Sequence, residues 1–137
     1  MSSTPAAKRV LVAGLGRFIA ADHAAQFGSA QANRASITAN LEKARQHGFE
    51  PSAVELNPND PAASLKELRE LLLGTHFDGF TIGFGIRGKK EFTELFEDVV
   101  NLSRELSPKT KLGFSVAPDA VFETLLRMFP EMGEKEE

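Results

Sequence analysis

Phe77-Asp78-Gly79-Phe80-Thr81-Ile82-Gly83-Phe84-Gly85-Ile86-Arg87-Gly88 begins as an apolar strand and ends in a glycine-rich turn that carries an arginine. A strand without polar alternation is one buried on both faces, as in parallel sheets covered by helices. The stretch therefore reads as the central strand of a small α/β sheet, delivering a flexible, cationic loop to one edge of the molecule.

Upstream, Lys8 to Gly14 has the same character, a β-branched apolar run ending in glycine. An Ala-rich connection, residues 15–34, follows it; a connection of this length without regular structure is uncommon and often functional. Ile37, Leu41 and Ala44 recur at helical spacing, so a first helix is expected from an Asn33 or Ser36 cap to Gln46 or His47, closed by Gly48. A short strand is expected over Ser52–Asn57. Asp60 and Pro61 then open a second helix with Leu65, Leu68 and Leu72 on its buried stripe and Gly74 at its end.

Downstream, Lys89 to Leu106 reads as the third helix, with Phe92, Leu95, Phe96, Val99, Leu102 and Leu106 on one face. Lys111–Val116 is the fourth strand. Pro118 opens a last helix, striped by Val121 or Phe122, Leu125 and Phe129, and Pro130 stops it. Residues 1–7 are expected to be disordered, and 131–137 to form a charged tail.

Four successive strand–helix units predict one α/β domain over residues 8–130. Its expected form is a doubly wound three-layer sandwich around a four-stranded parallel sheet of order 2-1-3-4. Right-handed crossovers put helices one and four on one face and helices two and three on the other.

Ligands of open α/β sheets bind beyond the carboxyl ends of the strands, where the strand order reverses. Here that point lies between strands one and three. Gly14, Gly16, Arg17 and Phe18 would meet Gly83, Phe84, Gly85, Arg87 and Gly88 there, with Asn57 and Ser115 on the same rim. Glycines admit a ligand to backbone N–H groups, and two guanidinium groups suit a phosphate or carboxylate. Asp22 and His23 are the acid–base candidates, on a connection able to close as a lid.

Gly83, Gly85 and Gly88 also satisfy G-x-G-x-x-G between a strand and a helix. The acidic residue that a dinucleotide site wants at the end of the next strand is missing, since strand four ends Ser115-Val116. Acidic residues at the ends of strands one and three, as a phosphoacceptor needs, are absent, and so are a P-loop and a G-x-S-x-G elbow. No histidine–carboxylate cluster has metal-ligand spacing, so neither metal nor cofactor is expected.

Composition bounds the rest. The chain has 137 residues, a formal net charge of −3, no cysteine, and eleven Phe with no Tyr or Trp. A mildly acidic chain argues against nucleic-acid and anionic-membrane partners. No apolar run approaches the ~20 residues that span a bilayer. Without cysteine there is neither a disulfide framework nor a thiolate nucleophile, and a cytoplasmic setting is the expectation.

Gly83-Phe84-Gly85-Ile86-Arg87, Leu95-Phe96-Glu97-Asp98-Val99-Val100-Asn101 and Leu112-Gly113-Phe114-Ser115 resemble a group of short uncharacterised bacterial and fungal proteins. These pair a strand ending G-x-G-[VI]-R with a helix reading L-F-E-x-x-[VI]-N. The resemblance implies a compact Rossmann- or flavodoxin-like domain and carries no activity with it.

The leading expectation is thus a small α/β protein that binds a small anionic organic molecule between strands one and three. A non-catalytic module that forms a homodimer through an edge strand or a helix face is the alternative. Nucleotide binding through Gly83, Gly85 and Gly88 is the third.

Overall fold

Four parallel strands and their connecting helices make up the computed structural model, which describes residues 6–18 and 30–133. The strands are β1 (Lys8–Gly14), β2 (Phe49–Glu55), β3 (Gly79–Ile82) and β4 (Lys111–Phe114). The long helices are α1 (Ala30–Gln46), α2 (Pro61–Gly74), α3 (Thr93–Leu106) and α4 (Val121–Met128). Sheet order is β2-β1-β3-β4, with Lys8 beside Phe49, Val10 beside Gly79, and Gly79 beside Lys111. The α/β class, the all-parallel sheet and the strand order match the sequence expectation.

Local chemistry accounts for the element ends. The Asp60 carboxylate accepts a hydrogen bond from the Ala63 N–H at 3.2 Å, and Pro61 occupies the first turn of α2, where a missing N–H costs nothing. Gly48, at φ +90°, turns the chain from α1 into β2 in a region that side chains disfavour.

The pleat sends alternate residues of each strand to opposite faces and so builds two cores. On one face Leu11, Phe80 and Ile82 pack against Leu68 and Leu72 of α2 and Leu95 and Val99 of α3. On the other, Val10 and Val12 pack against Ala44 of α1 and Val121, Leu125 and Met128 of α4. Helices α1 and α4 share one face and α2 and α3 the other, the three-layer arrangement.

Some element ends differ from the expectation. β2 begins at Phe49 and ends at Glu55, so Pro51 lies inside it; an outer strand tolerates a residue with no N–H to donate. Helix α1 begins at Ala30, which draws residues 30–34 out of the expected connection and into the helix. The turn after β3 is itself helical over Phe84–Arg87, and a 3-10 turn at Lys90–Phe92 delays α3 to Thr93. Pro130–Gly133 forms another 3-10 turn whose Met132 is buried against the α1–α4 core, so the packed body runs to Gly133. The rest of the expected lid, residues 19–29, lies outside the described residues, as do 1–5 and 134–137. Among the described residues no helix is long and apolar enough to cross a membrane.

Candidate functional site

The carboxyl ends of β1 and β3 come into backbone contact. Gly83 N–H donates to the Ala13 carbonyl at 2.9 Å. A Cβ on Gly83 would stand 3.4 Å from that same oxygen, so a side chain there would press on the neighbouring strand. Beyond β1 the chain turns through the 3-10 turn Gly16–Phe18, closed by Phe18 N–H to the Leu15 carbonyl at 2.8 Å. Gly16 sits at φ +53°, in the left-handed region. Beyond β3, Gly83 opens the helical turn Phe84–Arg87 and has no side chain with which to cap it.

A cleft of about 500 Å³ opens above this junction, a size typical of small-molecule sites. Its floor includes Val12, Gly14 and Gly83. One wall is α1, through Asn33, Ile37 and Leu41; the opposite wall includes Ala117, Pro118 and Val121. The Asn40 side chain ties the two walls together, since its Oδ1 accepts from Phe122 N–H at 2.8 Å while its Nδ2 donates to the Ser36 carbonyl at 2.9 Å.

The lining is largely apolar with a few placed polar groups. Asn33 is 6% exposed, and its Nδ2 is buried with no hydrogen-bond partner among the described residues. Ser115 is buried, its N–H donating to the Ile82 carbonyl at 3.2 Å. At the mouth, Arg34 Nη2 lies 4.0 Å from Glu55 Oε2. The Glu55 side chain folds over Gly16, where any Cβ would overlap its carboxylate.

Of the residues singled out in the sequence, Gly14, Gly16, Gly83, Phe84, Gly85 and Ser115 line this cleft. Arg87 lies outside the lining. Its guanidinium is stacked 5.0 Å from the Phe84 ring centre and 5.5 Å from that of Phe114, and Nη2 donates to the Ser115 carbonyl at 3.4 Å. It therefore stands behind two lining residues and holds them. Gly88 ends the helical turn, where a Cβ would meet the Phe84 ring.

Asn57 is committed to the loop before α2: its Oδ1 accepts from Asn59 N–H at 3.0 Å and its own N–H donates to Ser64 Oγ at 2.7 Å. Phe18 is half-buried in the first turn, outside the lining. The Arg17 backbone belongs to that turn, whereas its side chain, like Asp22 and His23, lies outside the described residues.

Sequence reasoning passed over Asn33, Arg34 and Glu55. The sequence offers Asn33 only as one of two helix caps, and a strand expected to run on to Asn57 puts Glu55 inside it rather than at its end. The available signal was position alone, since the carboxyl end of β2 belongs to the same rim as those of β1 and β3. Compared with known protein families, curated proteins and solved structures, the chain matches none.

Proposed function

We propose that the cleft binds a small organic molecule carrying a phosphate or carboxylate, with the oxyanion at the glycine junction and its apolar part against Ile37, Leu41 and Val121. The observation that carries this reading is the Asn33 amide. A buried donor without an acceptor costs about 1–3 kcal/mol, and a ligand oxygen removes that penalty. Gly83 and Gly85 put no side chain into the cleft, so a ligand can approach the backbone closely there. Arg34 brings positive charge to the mouth, and Arg87 acts as a positioning residue through Phe84 and Ser115.

Titration of isotope-labelled protein with inorganic phosphate, citrate and phosphoenolpyruvate, followed by amide chemical shifts, tests the reading. Saturable shifts are expected at Gly14, Gly16, Gly83, Gly85 and Ser115, weakened about tenfold or more in Asn33→Ala, as loss of a hydrogen bond to a charged group implies. Shifts scattered over the surface, or none with any of the three, would refute it.

A further inference from the structure

Glu55 is an odd neighbour for an anion, and that oddity defines the other end of the ligand. This step rests on the oxyanion reading above. A carboxylate beside the entering molecule repels it unless the ligand presents hydrogen-bond donors at that point. Glu55 lines the same cleft as Asn33 and the glycine junction, at the carboxyl end of β2 and directly over the Gly16 turn that follows β1. Gly16 is what lets it lie there, because a Cβ would displace the carboxylate.

Two kinds of donor suit a carboxylate, an ammonium group and hydroxyl groups. Arg34, 4.0 Å away, already brings a full positive charge to Glu55, so a cationic ligand would crowd a second cation beside it. Hydroxyls bring no such conflict. A carboxylate has two oxygens and about four lone-pair sites, so it can take two adjacent hydroxyls while keeping an ion pair. Ligands of open α/β sheets lie beyond the carboxyl ends of the strands at the switch point, where an acidic side chain at the end of a neighbouring strand can accept hydrogen bonds from ribose hydroxyls.

We propose that the cleft takes a phosphorylated sugar, free or as part of a nucleotide, with Glu55 accepting hydrogen bonds from its vicinal hydroxyls. Asn33 and the Gly83–Gly85 backbone face the phosphate. The acidic partner missing from the carboxyl end of β4 is supplied by β2, so the sugar lies toward the β1–β2 side of the cleft and the phosphate toward β3.

Calorimetric titration of the full chain with ribose 5-phosphate and with 2-deoxyribose 5-phosphate tests this, with AMP and its 2′-deoxy analogue as a second pair. The ribo form of each pair is expected to bind about ten- to a hundredfold more tightly, the worth of a hydrogen bond to a charged group. Glu55→Ala should abolish that preference, weakening the ribo compounds more than the deoxy compounds, which have only the 3-hydroxyl to lose at that point. Its folding is checked by its amide spectrum, and if it does not fold the wild-type preference decides alone.

AMP binding more tightly than ribose 5-phosphate makes the ligand a nucleotide; equal affinities make it a free sugar phosphate. Equal binding of ribo and deoxy forms, with shifts at the glycine junction, overturns the diol assignment and leaves the oxyanion site standing. Silence from all four compounds, and from inorganic phosphate, citrate and phosphoenolpyruvate as well, overturns both.

Discussion

Two glycines two residues apart should respond to the same substitution in opposite ways. Gly16 has φ +53°, where an L side chain meets its own backbone; alanine there should cost about 1–2 kcal/mol. The overlap with Glu55 adds little, because the atoms met are the far end of a flexible side chain that can swing toward solvent. Gly14 has no such φ, and a Cβ built on it meets nothing within 4 Å. Gly14→Ala removes freedom from the unfolded chain without strain and should stabilise by about 0.4–1 kcal/mol. For a chain of this size about 1 kcal/mol moves Tm by roughly 3–5 °C. Urea denaturation of both variants, with thermal melts alongside, should therefore find them separated by about 1.5–3 kcal/mol. If both change stability in the same direction, or differ by less than about 0.5 kcal/mol, the turn after β1 is not built as described. Gly14→Ala also sets a methyl group into the cleft lining, so it separates stability from binding: the fold should gain while affinity for an oxyanion falls.

Two buried threonines form a second contrasting pair. Thr81 is fully buried and its Oγ1 has no hydrogen-bond partner among the described residues, so Thr81→Val should stabilise by about 1 kcal/mol or more. Thr110 Oγ1 donates to the Phe77 carbonyl at 2.6 Å and pairs with Ser107 Oγ, so Thr110→Val should cost about 1–3 kcal/mol; chemical denaturation that ranks them the other way would contradict both assignments. Arg87→Ala removes a guanidinium stacked on two Phe rings and should cost about 1–2 kcal/mol. Arg87→Lys should recover less than half of that, because an ammonium group cannot stack between the rings while reaching the Ser115 carbonyl; full recovery in a melt would show that charge alone matters.

What the sequence made legible follows from where its signals are local. β1 ends where its apolar run meets Gly14, and α2 is framed by Asp60, Pro61 and Gly74, each acting within one turn of itself. Strand order was accessible too, because it follows from covering both faces of a parallel sheet with three crossover helices and the helix after β4. The start of β2 at Phe49 was not legible because it puts Pro51 inside the strand, which only a position at the sheet edge makes acceptable. In the site, the glycines were readable from their strand–turn context. The direction of Arg87 was not: whether a guanidinium faces a cleft or stacks behind it depends on Phe114, a residue brought in from another strand. Glu55 and Asn33 carry no motif, and they become neighbours of the glycines only once β2 and α1 are docked.

The sheet order has a kinetic consequence as well. Among the described residues no strand pairing is local; even the nearest in sequence, Gly79 with Lys111, spans the whole of α3. The central strand β1 is the first to leave the ribosome, yet one of its two neighbours, β3, arrives after α1, β2 and α2 have all been made. Until then Val10 to Ala13 hold an apolar, half-paired edge open to solvent. Chain closure over such separations precedes any reward from pairing, which puts this domain among the slower folders of its size. The interval before β3 docks is when the chain is most exposed to aggregation.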